Sequence, residues 1–462
     1  MRLGRNLCDP IQAKLRWGAP IHADLRDQRS LERGGEIASG RQLRVAVAGA
    51  GAFGRNHLRV VRELETAGEG AALVAAVDPD AACADEAAKQ YGIPVYPRIE
   101  DLLRADLKLD AACVAVPTVK HHEVAAALLD AGLDLLVEKP LAASLNEADD
   151  LIARVERTGR IVQPGHLERF NPAVLAVEPK VKRPMFFEAH RLSVFTPRAL
   201  DVDVVLDLMI HDLDIVLTFA RSAVREVRAV GLPVVSPKVD IANVRVEFES
   251  GCVANFTASR VSTERVRKLR FFEPRQYVSI DYARRDVLVI RIDGSGASGV
   301  GDQHGLPPLP QEQKRGNDGA TGSSIQLEQA AAEFLATGKL DAALMQKLVA
   351  SGQIPSALVM KVLAAKNDPE KLREIAKGLA EPHAETHDGP APGLSFVKPE
   401  VTPGEPLRLE IASFLESVRT RREPRVTARQ GRAALELALT IQATMAAHAD
   451  RAGLRDFFKD GL

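Results

Sequence analysis

The stretch "VAVAGAGAFGRNH" (residues 45–57) carries a run of small and β-branched residues, then glycines at positions 49, 51 and 54, and then polar residues. This order is typical of a buried strand that turns sharply into a helix. In a G-x-G-x-x-G pattern the first glycine permits the turn, the second lets a pyrophosphate approach the backbone, and the third lets the helix pack closely on the strand. The pattern therefore predicts a dinucleotide site with its phosphates at the helix N-terminus, and a purely structural turn is the alternative. The residues predicted to border the dinucleotide are Gly49, Gly51, Ala52, Phe53 and Gly54.

Asp78 lies 24 residues after Gly54, at the end of the next strand-like run. A carboxylate at that point accepts hydrogen bonds from the ribose hydroxyls of an adenosine and repels a 2′-phosphate. The three residues that follow, at positions 79–81, include no arginine that would hold such a phosphate. We therefore expect NAD rather than NADP as the cofactor.

The first part of the chain alternates between strand-like and helix-like segments. Apolar runs at 43–51, 72–80, 111–118 and 133–140 predict strands, and an alanine-rich segment at 121–132 predicts a helix. Alternation at this spacing is typical of a parallel sheet built from βαβ units. Residues 185–292 instead show longer strand-like runs with tight connections, such as a Ser-Gly hairpin at 248–253. We therefore predict an α/β fold class, with an N-terminal Rossmann domain (a doubly wound parallel sheet) and a C-terminal α/β domain with an open, mostly antiparallel sheet.

These patterns give a predicted domain organisation. It begins with an N-terminal extension at 1–42, which we expect to be poorly ordered, and an NAD-binding Rossmann domain at 43–163. A substrate and oligomerisation α/β domain follows at 164–292, and then a loop and helical insertion at 293–400. C-terminal helices at 401–447 complete the α/β core, and a tail occupies 448–462.

Composition narrows the class of protein. The chain has 462 residues, a formal net charge of −1 and an aromatic content of 4%, which argues against a nucleic-acid partner or a charged membrane surface. No apolar run reaches the ~18 residues of a membrane span, and residues 1–42 hold no compact apolar segment of the kind a signal peptide has. The four cysteines form no C-x-x-C motif, which fits a reducing compartment. We therefore expect a cytoplasmic protein.

The sequence "VEKPL" (137–141) follows a predicted parallel strand. Ligands of doubly wound sheets bind at the carboxyl ends of the strands, so Lys139 is predicted to point into the ligand crevice. A solvated lysine that merely caps the strand is the alternative.

The segment at 204–219 is apolar nearly all round and predicts a buried helix. At about 100° per residue, Asp207, His211 and Asp214 fall within an arc of ~60°, so they form one polar seam. Asp207 and His211 are i, i+4 neighbours, and a carboxylate at that spacing can orient the imidazole and support its positive charge. An imidazole held in this way suits a general base that takes the proton of an alcohol.

Two alternatives to this base remain open. One is a buried Asp–His pair with a structural role, and the other is a metal site that draws on the adjacent His121 and His122. Because one of two adjacent histidines must point away from any shared ligand, we predict no metal.

With the glycine motif, Asp78, "EKP" and D-x-x-x-H in this order, the chain resembles the Gfo/Idh/MocA family of sugar and polyol oxidoreductases. The resemblance extends through 116–152, 165–174 and 405–441 and in all covers about 43–292 and 400–447. It implies that Lys139 and His211 flank the reacting hydroxyl, that Asp207 supports His211, and that the open sheet forms a homodimer or homotetramer. The residues that it places near the cofactor are Pro117, Thr118, His121 and Glu138.

Within the family, residues 165–174 and 201–217 are most similar to members that oxidise the 3-hydroxyl of UDP-N-acetylglucosamine to a ketone. An aminotransferase then uses that ketone in making the diamino sugar of some lipid A molecules. The residues this implies as contacts for the diphosphate or the sugar are Arg169, Asn171, Arg191 and Arg198, with surface ion pairing as the alternative for each.

Two other functions remain as alternatives. One is oxidation of a free sugar, an inositol or another polyol, and the other is a non-catalytic NAD-binding regulatory protein. The region at 293–400 is longer than the family normally carries. We expect a passive helical appendage there, with a cover for the cleft, an oligomer contact or a site for the aminotransferase as the other interpretations.

Overall fold

The structure, a computed structural model, describes residues 41–196, 202–292 and 394–454. The described residues before 293 and those from 395 onward belong to one compact unit, which is the subject below. Most of the predicted N-terminal extension, nearly all of the 293–400 insertion, the last eight residues of the tail and Arg198 lie outside the described residues. Among the described residues, no helix combines the length and the apolar character needed to cross a bilayer.

The first sheet is parallel and has six strands in the order β3-β2-β1-β4-β5-β6. Its strands are β1 (Leu43–Ala48), β2 (Ala71–Val77), β3 (Val95–Tyr96), β4 (Ala111–Val114), β5 (Asp134–Glu138) and β6 (Val162–Gly165). The helices between them are α1 (Gly54–Thr66), α2 (Ala81–Tyr91), α3 (Ile99–Arg104), α4 (His121–Asp130) and α5 (Leu145–Thr158). The order reverses between β1 and β4, which is where doubly wound sheets bind ligands. The predicted Rossmann fold is confirmed.

The second sheet has eight strands in the order β14-β13-β12-β11-β7-β10-β9-β8. They are β7 (Phe186–Leu192), β8 (Val224–Leu232), β9 (Ile241–Phe248), β10 (Val253–Ser259), β11 (Val266–Glu273), β12 (Gln276–Asp281), β13 (Asp286–Ile292) and β14 (Leu394–Val397). β7 runs parallel to β10 and antiparallel to β11, and the predicted hairpin joins β9 to β10 with Gly251 at φ +83°. The predicted mostly antiparallel sheet is also confirmed.

The remaining helices cover the cores of both sheets. They are α6 (Pro172–Val177), α7 (Ile210–Ala220), α8 (Pro406–Thr420) and α9 (Ala428–Arg451). α7 and α9 pack on the second sheet, whereas α8 contributes Ile411, Phe414, Leu415 and Val418 to the core around β1 and α1. α9 also reaches the first sheet through Ala428 and Leu435. The two C-terminal helices therefore stabilise both sheets, although they lie more than 100 residues beyond β13.

Steric demands at the glycine turn explain two of its three glycines. Gly49 has φ +97°, and a Cβ there would lie 2.4 Å from the carbonyl oxygen of Ala115. A Cβ on Gly54 would lie 1.8 Å from the carbonyl oxygen of Gly49, so α1 can begin here only with glycine. A Cβ on Gly51 would meet no atom within 4 Å.

We expect Gly54→Ala to lower the free energy of unfolding by about 3 kcal/mol or more, because neither backbone group can move away without distorting β1. Gly51→Ala is the matched control, and we expect it to change that free energy by less than about 1 kcal/mol. Urea denaturation followed by circular dichroism measures both values. Equal losses in the two variants would contradict this account of the turn.

Candidate functional site

The glycine turn offers space for an anion. The turn leaves β1 at Ala48 and enters α1 at Gly54, with open volume over Gly51. The first amides of a helix lack partners within the helix and point towards any anion bound there. Ala52 and Phe53 are exposed beside this volume. The residues present therefore fit a pyrophosphate, as the motif predicts.

Asp78 stands beside the turn at the end of β2. Its Oδ2 accepts a hydrogen bond from the Ala50 amide at 2.6 Å, and its Oδ1 accepts one from the Asp80 amide at 2.9 Å. Each oxygen of an ionised carboxylate has a further lone pair, so the half-buried group can still accept hydrogen bonds from two ribose hydroxyls. The chemistry of Asp78 thus fits a ribose contact, and its role in binding NAD stays a prediction.

The loop after β4 is held by His121. Pro117 is exposed and Thr118 is half-buried, but the His121 side chain is buried. Its Nδ1 lies 2.7 Å from the carbonyl oxygen of Pro140 and its Nε2 lies 2.9 Å from that of Val116. His121 thus ties the loop to the segment after β5, and its nitrogens do not face open space.

The adjacent histidine turns away. His122 Nε2 lies 2.7 Å from Asp150 Oδ2 on α5, outside the crevice. The two neighbours therefore cannot share a ligand, and the described residues contain no group of three side chains suited to a metal ion.

Lys139 crosses from the first sheet to the segment before α7. Its Nζ donates a hydrogen bond to the carbonyl oxygen of Asp207 at 2.7 Å and lies 3.8 Å from Asp207 Oδ1. Burial lowers the pKa of Lys139, while the negative charges of Asp207 and Glu138 oppose that effect. The lysine is thus held within the protein, and the alternative of a solvated strand cap is wrong.

His211 lies in the first turn of α7 and is half-buried. Burial and the positive charges of Lys139 and Arg191 hold its pKa well below the usual range. Its Nδ1 is buried without a hydrogen-bond partner in the described part of the chain. The His211 imidazole on α7 thus lies within the electrostatic influence of the Lys139 ammonium group, which follows β5.

Asp207 and His211 are not arranged as the spacing of an unbroken α-helix predicts. Residues Val205–Met209 form a π-helical turn, in which the Ile210 amide bonds to the carbonyl oxygen of Val205, five residues back. The extra residue in this turn changes the angular relation that an unbroken α-helix would give to positions 207 and 211. No hydrogen bond joins their side chains among the described contacts, and Asp207 instead faces Lys139.

The third member of the predicted seam lies in a separate buried group. Asp214 Oδ1 is 3.6 Å from Arg169 Nη1, and its Oδ2 is 3.9 Å from His166 Nδ1. Arg169 Nη1 also donates to the hydroxyl of Thr218, and Nη2 donates to the carbonyl oxygen of Arg425 at 3.4 Å. Arg169 thus links α7 to the segment before α9.

Arg191 and Asn171 are also buried. Arg191 donates to both Asp212 oxygens at 2.7 and 3.0 Å and to Glu168 Oε1 at 3.0 Å. Asn171 accepts from the Ala173 amide at 3.1 Å, which caps α6, and donates to Glu168 Oε2 at 3.0 Å. Surface ion pairing is therefore wrong for Arg169 and Arg191, and these three side chains orient the helices around the site.

The sequence did not lead us to predict a role for His57, whose side chain holds the segment that carries Lys139. His57 Nε2 lies 2.8 Å from Glu138 Oε1, and Glu138 Oε2 accepts a hydrogen bond from the Lys139 amide at 3.3 Å. Burial alone would lower the pKa of His57, but its interactions with Cys113 and Glu138 outweigh that effect and raise the pKa to about 10. Burial would raise the pKa of Glu138, but the hydrogen bond and charge of His57 lower it. The signal was available, since His57 ends the quoted motif and Glu138 precedes Lys139.

We expect the stabilisation that the His57 charge supplies to depend on pH. Because the pKa is raised on folding, this stabilisation is complete below about pH 6.5 and disappears as the pH rises through 10. The difference in unfolding free energy between the wild type and His57→Gln should therefore fall by on the order of a few kcal/mol between pH 6.5 and 10. Glutamine keeps a donor for Glu138 but carries no proton that titrates.

Urea denaturation across this pH range measures the difference. His122→Gln, which alters the more exposed pair with Asp150, is the matched control and should show only a small dependence on pH. A constant difference for His57→Gln from pH 6.5 to 10 would show that the buried imidazole is neutral in the folded protein.

Two family models match the chain. The first, described as the oxidoreductase family with an NAD-binding Rossmann fold, matches residues 43–166. The second, described as the GFO/IDH/MocA C-terminal domain, matches residues 175–275. Together they span the glycine turn, Asp78, Lys139, Asp207 and His211.

The chain is also similar in sequence and in fold to known dehydrogenases. The chain is 33% identical over 271 residues to the UDP-N-acetylglucosamine 3-dehydrogenase of Acidithiobacillus ferrooxidans, covering 58% of this chain and 82% of that protein. It is 29% identical over 236 residues to the scyllo-inositol 2-dehydrogenase (NAD(+)) of Bacillus subtilis, covering 48% and 68%. A solved structure of the Acidithiobacillus ferrooxidans enzyme has a TM-score of 0.62 and 25% identity, covering 87% of this chain and 97% of that one. The chain belongs to the Gfo/Idh/MocA family and is an NAD-dependent oxidoreductase that acts on a CH–OH group.

Proposed function

We propose that this protein oxidises one hydroxyl of a nucleotide sugar to a ketone and that its substrate is UDP-N-acetylglucosamine, oxidised at the 3-hydroxyl. The observation that carries the proposal is the hydrogen bond from Lys139, just after the carboxyl end of β5, to the carbonyl oxygen of Asp207, four residues before His211. Burial and the positive charge of Lys139 both lower the pKa of His211. Oxidation of an alcohol needs a group that accepts the hydroxyl proton and a cation that stabilises the oxygen as charge develops on it. These two side chains supply both groups.

NAD, when bound, accepts the hydride that leaves the carbon. Gly49, Gly51 and Gly54 shape the turn for its phosphates, and Asp78 is placed to accept hydrogen bonds from its adenosine ribose. The chain's other task is to remove the hydroxyl proton in the same reaction.

His211 performs that task as the general base. Because burial and nearby positive charges lower its pKa, the imidazole is available to take the hydroxyl proton at neutral pH. The hydride and the proton then leave the same CH–OH group, and a carbonyl remains.

Lys139 stabilises the negative charge that develops on the oxygen as the proton leaves. Its ammonium group is fixed by the carbonyl oxygen of Asp207, and a fixed cation in a water-poor site stabilises a developing alkoxide without reorganising. Asp207 therefore acts as a positioning residue for Lys139, in place of the support for His211 that the sequence predicts.

The similarity to the UDP-N-acetylglucosamine 3-dehydrogenase favours a nucleotide sugar, since it has both the higher identity and the larger coverage of the two relatives described. The ketone product would suit an aminotransferase, which leads towards the amino sugar of lipid A or another part of the cell envelope. A second candidate substrate is a free polyol, favoured by the similarity to scyllo-inositol 2-dehydrogenase. Because the chain is an oxidoreductase, the alternative of a non-catalytic regulator is set aside.

An open sheet face supports our proposal of a homodimer or homotetramer. Phe272 is exposed on this face, with its ring 5.7 Å from that of Phe186 and 5.0 Å from that of Tyr277. Exposed aromatic side chains that cluster are typical of a surface that packs against a partner.

The substrate is tested by incubating the protein with NAD and, separately, UDP-N-acetylglucosamine, scyllo-inositol and myo-inositol. We expect NADH to form with the nucleotide sugar, and mass spectrometry to detect a product two mass units lighter, because two hydrogens are lost. Turnover of an inositol without turnover of the nucleotide sugar would favour the second candidate.

We expect Lys139→Ala and His211→Ala each to lower kcat by ~10²-fold or more, because each removes a group that acts on the reacting oxygen. The dissociation constant for NAD should change by less than about threefold, since neither residue lies at the glycine turn. Lys120→Ala is the matched control, since Lys120 is exposed and paired with Glu123. Full activity of either active-site variant would contradict the mechanism.

A further inference from the structure

Arg267 is a cation beside the site that neither the sequence reasoning nor the family match assigns. It lies on β11, directly opposite Arg191 of β7. Opposed residues of an antiparallel pair point to the same face, so Arg267 shares the face of Arg191, Leu269 and Phe271. That face packs on α7, the helix that carries His211.

The two opposed arginines have different environments. Arg191 is buried and bound to Asp212 and Glu168, so its hydrogen-bonding capacity is largely used. Arg267 is exposed, and it makes no side-chain hydrogen bond or ion pair with any residue that the structure describes. Asp212 and Glu168 thus bind Arg191, and Arg267 remains available to a ligand.

Arg267 is also near the reacting centre. Its charge is one of those that depress the pKa of His211, together with the charges of Lys139 and Arg191. Partial burial and the like charge of Arg191 lower the pKa of Arg267 itself. An unpaired guanidinium close to other positive charges is unfavourable until an anion binds. The planar set of N–H donors on a guanidinium suits a phosphate group.

We propose that Arg267 binds the diphosphate of the substrate and so makes the site selective for a nucleotide sugar over a neutral polyol. This inference rests on the proposed function, because only a nucleotide sugar carries that anion. The diphosphate is bonded to the anomeric oxygen of the same ring whose hydroxyl reacts, so its site must lie within one sugar ring of His211. The position of Arg267 opposite Arg191, on the sheet face that packs against α7, and the effect of its charge on His211 are consistent with this requirement. A neutral inositol would leave that charge unpaired.

The test compares Arg267→Gln with Arg270→Gln as the matched control. Arg270 lies on the same strand but on the opposite face, where its Nη1 is 3.8 Å from Glu188 Oε2. Calorimetric titration with UDP, which carries the diphosphate without the sugar, should show affinity lower by tenfold or more in Arg267→Gln. Affinity for UDP in Arg270→Gln, and affinity for NAD in both variants, should stay within about threefold of wild type.

Kinetics add a second readout. In Arg267→Gln we expect KM for UDP-N-acetylglucosamine to rise by tenfold or more while kcat changes by less than about threefold, because the residue binds a non-reacting part of the substrate. Unchanged UDP affinity in Arg267→Gln would overturn the inference and leave the proposed function standing. A wild type that oxidises an inositol but binds no UDP would overturn both.

Discussion

The hydrogen bond from Lys139 Nζ to the carbonyl oxygen of Asp207, at 2.7 Å, joins the end of the first sheet to the segment before α7. It brings the Lys139 ammonium group to the backbone four residues before His211, which lies 72 positions later in the chain than Lys139. Burial and the positive charge of Lys139 both lower the pKa of His211. Other parts of the structure keep the contact between Lys139 and Asp207 in place.

Buried charges supply much of that support. Glu138 fixes the Lys139 backbone and is itself held by His57, while Arg191 and Asp212 secure α7 from the second sheet. Replacing buried ion pairs by apolar side chains is often neutral or stabilising, so such pairs are weak evidence of stability. Their contacts with the Lys139 backbone and with α7 indicate that they fix geometry.

The sequence predicts the architecture well because the signals for it are local. These signals are the glycine spacing, the carboxylate after β2, the lysine that follows β5, and the change from alternating strands and helices to consecutive strands. Each of them can be recognised from residues that are neighbours in the sequence. All of them are confirmed as structural features. The participation of α8 in the first core could not be read from its own sequence, because an amphipathic helix does not indicate which sheet it covers.

The details of the site depend on contacts that are distant in sequence. An α-helical interpretation paired Asp207 with His211, but the π-helical turn changes their angular relation and directs Asp207 towards Lys139. Arg169 and Arg191 belong to buried networks. The exposed Arg267 was overlooked because its availability depends on strand register and on the acidic partners that Arg191 binds. The composition and the spacing of residues do not show which acidic side chains each arginine binds.

The most direct measurement of the central claim is an NMR titration of the His211 imidazole in the wild type and in Lys139→Met. The account predicts that His211 stays neutral in the wild type well below pH 6.5 and that its pKa rises when the lysine charge is removed. An ordinary pKa near 6.5 that is the same in both proteins would contradict the account, because the cation and the base would then not share one site.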